Sequence, residues 1–308
     1  MKKKFISNNM KIFLLVLFLL SMTLYASGCI VLVQSGYKLS DYADELNIDP
    51  NTFKFNFGAN GFNLNFNDSS VSKDYTINDN INEININLNS QDIKVINYDG
   101  QDLKVQVKSH NSMSGELLET ENENKLVLNT KYDTPDNASI LVSIPASFNH
   151  RGTLKIITSS GDMNVSKISI DTLNLSTASG DIDVSNLNLS YLSLTNSSGD
   201  IKFNTISALT ETKLSSSSGD IVGSGSLGTV NGSTASGDIN LQFKDSLSNT
   251  SLSSASGSIS LSLPKDIGYK INYKTVSGSL DSSNRELSFG DESSLINVDT
   301  VSGDLNIN

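Results

Sequence analysis

The chain has one cysteine, no tryptophan and two histidines in 308 residues. A single cysteine, Cys29, excludes an internal disulfide framework and argues against a thiol metal site or thiol nucleophile. The two histidines, His110 and His150, stand far apart with no partner set around either, so they read as surface residues. Arginine is almost as scarce, with Arg151 and Arg285 alone. No phosphate loop, His-rich cluster or nucleophile elbow is present. Beyond residue 28 the chain carries 18 basic and 33 acidic side chains, a net charge of −15. That balance opposes nucleic acid and anionic lipid as partners.

What the chain does have is a recurring phrase. Ser-Gly-Asp or Ser-Gly-Ser places its glycine at Gly161, Gly180, Gly199, Gly219, Gly237, Gly257, Gly278 and Gly303. Successive spacings are 19, 19, 20, 18, 20, 21 and 25 residues. Two residues after each glycine comes Met163, Ile182, Ile201, Ile221, Ile239, Ile259, Leu280 or Leu305. Four after, it is Val165, Val184, Phe203, Leu241, Leu261 or Ile307, with Gly223 and Ser282 as exceptions. Such a period, built of short alternating runs, predicts an all-β chain. Its form would be a β-solenoid, parallel β-helix-like, with coils of about 19–21 residues. Ser, Thr and Asn dominate this half, as they do in disordered segments. The strict placement of the apolar residues argues against disorder.

Within one coil, Ile182, Val184, Leu187, Leu189, Leu192 and Leu194 supply six inward positions. The glycines serve as structural turns, expected to supply a left-handed corner that a side chain would obstruct. Coils stacked at about 4.8 Å give eight turns a span of about 35–40 Å.

Asp162, Asp181, Asp200, Asp220, Asp238 and Asp304 follow their glycines, with Ser258 and Ser279 in two repeats. Stacked carboxylates about 5 Å apart cost roughly 0.8 kcal/mol per pair in a water-like dielectric, so something must offset them. One reading is turn capping by amides. The other is a weak calcium ridge over Asp162, Asp181, Asp200, Asp220 and Asp238, since calcium takes oxygen ligands. No other cofactor is expected.

The N-terminus has Lys2, Lys3, Lys4 and Lys11, the apolar run from Ile12 to Leu20, and small residues up to Cys29. This is the layout of a secretory signal, and the apolar stretch is short for a membrane span. Ala26-Ser27-Gly28-Cys29 resembles a bacterial lipobox, with Ala26 where leucine is usual. The resemblance implies lipidation at Cys29 and anchoring to membrane lipid on the outer face of the bacterial cell membrane. An uncleaved anchor is the alternative.

The organisation is then a signal peptide over 1–28, a lipidated tether over 29–74 and a β-solenoid over 75–308, with the Ser-Gly-Asp repeats at 158–308. The tether holds a short helix near 38–47 and a hairpin whose face carries Phe53, Phe55, Phe57, Phe62, Leu64 and Phe66. That face is either a cap on the solenoid or an exposed aromatic patch. Residues 75–157 alternate as strands (Ile84, Ile86, Leu88; Ile93, Val95; Leu103, Val105, Val107) without the phrase. The long interval from Gly278 to Gly303 predicts a loop or cap near Asn284–Ser294.

The run Ile86 to Val107, the element Ser143-Ile144-Pro145 and the repeated Thr-x-Ser-Gly-Asp-Ile phrase resemble a bacterial family of β-strand-repeat proteins. That family is labelled "putative adhesin", domain of unknown function 4097. The resemblance covers about residues 75–308 and implies a β-solenoid at the cell envelope, with no catalytic residues to carry over. The leading expectation is a non-catalytic envelope lipoprotein, adhesin or scaffold. It would bind an envelope, wall-polymer or extracellular protein partner along an extended face. A regulatory protein of envelope stress that contacts a membrane sensor is the alternative. A glycan-active β-helix enzyme is the weaker one.

Overall fold

The computed structural model describes residues 69–77, 80–109, 117–122, 124–131, 134, 138–148, 151–282 and 286–308. Cys29, the leader, the expected helix and the Phe-rich hairpin lie outside the described residues. So do His110, His150 and Arg285.

Apart from one 3-10 turn at Ala146–Phe148, the described elements are strands, hydrogen-bonded into one 22-stranded sheet. The first seven are β1 (Ser69–Tyr75), β2 (Glu83–Asn87), β3 (Asp92–Tyr98), β4 (Leu103–Ser109), β5 (Leu117–Asn122), β6 (Lys125–Thr130) and β7 (Ser139–Pro145). Next come β8 (Thr153–Thr158), β9 (Met163–Ser166), β10 (Thr172–Thr177), β11 (Ile182–Asn196) and β12 (Ile201–Ser215). Then follow β13 (Ile221–Ser226), β14 (Thr229–Thr234), β15 (Ile239–Phe243), β16 (Thr250–Ser254) and β17 (Ile259–Ser262). The remainder are β18 (Tyr269–Thr275), β19 (Leu280–Asp281), β20 (Ser288–Phe289), β21 (Ser294–Thr300) and β22 (Leu305–Ile307).

The pairings sort the strands into two columns. The strands that precede the glycine corners run β5–β6–β2–β8–β10–β11–β12–β14–β16–β21–β18–β20. Those that follow the corners run β1–β4–β7–β3–β9–β11–β12–β13–β15–β17–β22–β19. β11 and β12 are 15 residues each and enter both columns, which joins the two into one curled sheet. Parallel pairing prevails. Antiparallel pairs occur only near the two ends: β1–β4, β4–β7, β5–β6 and β18–β20.

The register reproduces the repeat period. Leu173 sits between Leu154 and Leu192, and Ile182 between Met163 and Ile201. Each step places apolar on apolar, as period-2 strands with one buried face require. Ile182, Val184, Leu187, Leu189, Leu192 and Leu194 are all at most 3% exposed. The inward residues of both columns join a single apolar cluster. Phe203 overfills its layer and meets Gly223 in the next one, where an added Cβ would lie 2.1 Å from the ring. The break in the apolar pattern at Gly223 is therefore a volume compensation.

Spatial order departs from sequence order at both ends. Spacing alone would seat Gly278 on Gly257. Instead β21–β22 slots between β16–β17 and β18–β19, pairing Ile259 with Leu305 and Leu305 with Leu280. At the other end β2–β3 lies between β6–β7 and β8–β9. The loop expected near Asn284–Ser294 contains β20, which pairs antiparallel to β18, and a turn with left-handed Gly290 and Glu292.

The expected left-handed corner is corrected. Left-handed φ values belong to Lys167, Asn186 and Thr205, one repeat apart, and to Gly152, Gly228 and Gly290. None of the eight repeat glycines adopts one. Those glycines exist because backbones touch. A Cβ on Gly180 would lie 2.1 Å from the Gly161 carbonyl oxygen, and one on Gly219 1.8 Å from that of Gly199. The same collision recurs at Gly237, Gly257, Gly303 and Gly278.

Gly219→Ala should therefore destabilise the chain by about 3 kcal/mol or more, since carbonyl backbone cannot step aside. Gly232→Ala should cost clearly less, because its Cβ would press on the methyl end of the Leu252 side chain rather than on backbone. Urea titration of both variants checks this; equal losses would remove the contact explanation.

Candidate functional site

The glycine corners carry two hydrogen-bond ladders. The residue three before each of the first six glycines folds its side chain back onto the turn. Thr158 Oγ1 accepts from Gly161 N–H at 3.2 Å, Thr177 from Gly180 at 3.1 Å and Asn196 Oδ1 from Gly199 at 3.0 Å. Ser216, Thr234 and Ser254 repeat the bond to Gly219, Gly237 and Gly257. All six are buried, and the bond gives a partner to the buried amide of each glycine. Four of them also donate outward to the neighbouring layer: Thr158 to the Asn89 carbonyl, Asn196 to that of Gly180, Thr234 to that of Gly219 and Ser254 to that of Gly237.

The second ladder is made by the aspartates. The Asp181 amide donates to Asp162 Oδ1 at 2.8 Å, and the Asp200 amide to Asp181 Oδ1 at 2.8 Å. Asp220 donates to Asp200, Asp238 to Asp220 and Ser258 to Asp238, at 2.7–3.1 Å. Asp304 continues on Ser258 Oγ at 3.4 Å, and Ser279 closes on Asp304 Oδ1 at 2.7 Å. The first rung is Asp92, whose Oδ1 takes the Asp162 amide at 2.9 Å. A search for Ser-Gly-Asp passes over Asp92, since its phrase is Ser90-Gln91-Asp92. The Ser-x-Asp-Ile pattern and the alternation after it were the available signal.

Amides thus meet the electrostatic cost of stacking these carboxylates. Among the described residues no group of three or more His, Cys, Asp or Glu side chains converges as a metal ion would require. The calcium ridge has no such cluster behind it at Asp162, Asp181, Asp200, Asp220 or Asp238.

Beside the first three rungs, a groove of about 670 Å³ runs along the outer face of the second column. Asp162, Asp181 and Asp183 line it together with Lys94, Lys108 and Lys202, over a floor that includes Ile96 and Leu141. Its volume falls in the usual range of small-ligand sites. Lys202 Nζ lies 3.0 Å from Asp200 Oδ2. This hydrogen bond holds the Asp200 carboxyl below the ordinary aspartate range, helped by the Asp220 amide, and raises Lys202 above the ordinary lysine value. Asp304 is lowered as well, first by the Ser279 amide and then by the Ser279 hydroxyl. The groove offers fixed positive and negative groups side by side, with no histidine or cysteine among the described residues. That equipment suits ion-pairing and hydrogen-bonding recognition. Arg151 lies elsewhere, its Nε donating to the Ser147 carbonyl at 3.0 Å.

An all-β, parallel-rich curled sheet with stacked glycine corners defines a class of β-strand-repeat proteins. The chain belongs to the Toastrack DUF4097 family, which matches residues 81–308. Its fold is similar to that of a "putative adhesin" from Bacteroides fragilis, 14% identical, at a TM-score of 0.51 over 78% of this chain and 97% of that one. A "putative adhesin" from Parabacteroides distasonis is 14% identical over 79% and 98%, TM-score 0.49. A "putative lipid binding protein" from the same species is 16% identical over 79% and 98%, TM-score 0.48. Among curated proteins none matches the sequence. No helix among the described residues is long and apolar enough to cross a membrane.

Asp181→Ala leaves the Asp200 amide without its acceptor and should cost about 1–2 kcal/mol, whereas Asp181→Asn keeps an acceptor and should cost less. Equal losses in denaturant titrations would exclude the ladder as the cause. The pH dependence has a defined sign. Asp200 and Asp304 bind protons less tightly folded than unfolded. Their stabilisation is therefore complete above the unfolded aspartate pKa of about 3.9, and is lost as pH falls through the lower folded values. Melting temperature should drop below about pH 4, and the drop should be shallower in the Asp200→Asn, Asp304→Asn double variant.

Proposed function

We propose that this chain is a lipid-anchored protein of the bacterial cell envelope whose repeat domain binds a partner along its side. In this reading the domain is a β-solenoid with coils of about 19–21 residues, matching the spacing of the glycines through Gly278. It acts without catalysis, as an adhesin or scaffold. The observation that carries the reading is the groove of mixed charge beside the Asp92–Asp162–Asp181 rungs. It lies on a face held in register by backbone contact, so a bound partner meets positions fixed before it arrives. Membership of a family with "putative adhesin" structural relatives supports the same reading. The anchor is Cys29; of the segment expected as tether, 29–74, the last residues from Ser69 on belong to β1.

Two measurements test this. Cys29→Ser should abolish incorporation of a labelled fatty acid and release the chain from the membrane fraction; retention of either would exclude the anchor. A photoreactive residue at Asn164, which lines the groove, should capture wall polymer or an external protein in intact cells. Capture of a membrane sensor would instead favour a regulatory role. Turnover of a wall glycan by the full chain would overturn the non-catalytic reading.

A further inference from the structure

Strand register fixes where the charges of the mixed groove stand. On the outward face of the second column, Lys94 of β3 is level with Asn164 of β9, and Asn164 is level with Asp183 of β11. Lys94 and Asp183 are therefore two strand steps apart, about 10 Å at the usual strand spacing. On its other side Lys94 is level with Leu141 of β7, and Lys108 of β4 is level with Ser139, two residues along that strand. The groove thus has a basic end at Lys94 and Lys108 and an acidic end at Asp162, Asp181 and Asp183. Half-buried Ile96 and Leu141 add apolar surface at the basic end.

The two ends do not neutralise each other. Lys202, the third lysine of the groove, is taken by Asp200. The ammonium groups of Lys94 and Lys108 make no ion pair or hydrogen bond among the described residues, and the Asp183 carboxylate makes none either. Asp162 and Asp181 each give Oδ1 to the next amide, which leaves Oδ2 for a ligand. Neutral Asn164 separates Lys94 from Asp183 at the level they share. A ligand that answers this layout carries both signs. A purely anionic one would meet four carboxylates, those of Asp92, Asp162, Asp181 and Asp183, and a purely cationic one would leave both lysines unpaired. A zwitterionic lipid head group carries its charges only a few bonds apart, short of the distance from Lys94 to Asp183. An extended peptide advances about 3.3–3.6 Å per residue, so about three residues span that distance.

Resting on the reading of this groove as the binding face, we infer that it receives the free carboxyl end of a peptide that carries an ammonium side chain two residues earlier. The terminal carboxylate sits between Lys94 and Lys108. The ammonium group takes Asp183 together with the Oδ2 atoms of Asp162 and Asp181. Small apolar side chains next to the carboxylate lie on Ile96 and Leu141. Asn164 and Ser139, which line the groove between charged positions, offer hydrogen bonds to the peptide backbone. A few polar groups held in fixed places around an apolar floor are what orient a small ligand.

The test is equilibrium dialysis of the full chain, purified in detergent, against radiolabelled acetyl-lysyl-alanyl-alanine. Its C-terminal amide and its analogue acetylated on the lysine side chain are run in parallel. Each should bind about tenfold more weakly, since each lacks one charged contact. Lys94→Gln with Lys108→Gln should weaken binding of the acid about tenfold and leave that of the amide unchanged. Asp183→Asn should weaken the lysyl peptide and leave the side-chain-acetylated one unchanged. None of these three side chains is bonded among the described residues, so the melting curve should stay in place in both variants. No retention of the peptide, equal binding of acid and amide, undiminished binding in either variant, or displacement of the peptide by phosphatidylethanolamine vesicles would each overturn the inference. Capture of a partner at Asn164 in cells while the peptide fails to bind would sink the peptide assignment and leave the groove reading in place; failure of both would remove both.

Discussion

The closeness of one backbone to the next at the glycine corner is the constraint from which the rest of the stack follows. An added Cβ at these corners would lie within about 2 Å of a carbonyl, so the chain there must be glycine. That approach brings the aspartate of one layer within reach of the amide of the next. It also places the threonine, serine or asparagine three residues earlier under the glycine amide. The phrase Thr-x-Ser-Gly-Asp-Ile is one device in which each residue serves the next layer as well as its own. A layer removed from the stack would leave a bare amide on one side and a carboxylate without its donor on the other.

Magnitudes explain why an acidic chain tolerates a row of carboxylates. Repulsion between neighbours at about 5 Å is roughly 0.8 kcal/mol in a water-like dielectric. A hydrogen bond from an amide to a charged acceptor contributes about 1.5–3 kcal/mol. The bond outweighs the repulsion at each rung. The two ladders overlap in their work: the buried hydroxyls and Asn196 settle the turn amides within the layer and four of them also reach the next layer, while the exposed aspartates act between layers alone.

The inward rows were legible in the sequence because alternation has one physical cause. Ile182, Val184 and Leu187 are apolar and point inward because a strand has two faces and one is dry. The glycines were legible in position but not in cause. A glycine required by a close neighbour and one required by a left-handed turn look alike in one sequence. The actual left-handed corner falls on Lys167, Asn186 and Thr205, which no propensity selects as a set. The order of the last two layers was not legible either, since Leu280 and Leu305 offer the same apolar contact to Ile259. Ser282 was the clue: it stands where Ile307 completes the inward row of the other layer, and an incomplete row suits an end. Of the groove, the aspartates were foreseen as a row. Lys94, Lys108 and Lys202 were not, because the curl of the sheet brings them there and no spacing announces it.

The two out-of-order layers change how the domain bears a pull. In a stack built in chain order, tension can peel one layer at a time from an end, each step exposing the next. Here β18–β19 is held by β21–β22, which is itself gripped by β16–β17. β6–β7 is latched in the same way through β2–β3. Drawing the chain from its C-terminal side loads β21–β22, a layer that lies inside the stack, against hydrogen bonds that shear together rather than unzip singly. The C-terminal end of the repeat is thus a knot of register, and the layers before it are spared the fraying that an end in chain order invites.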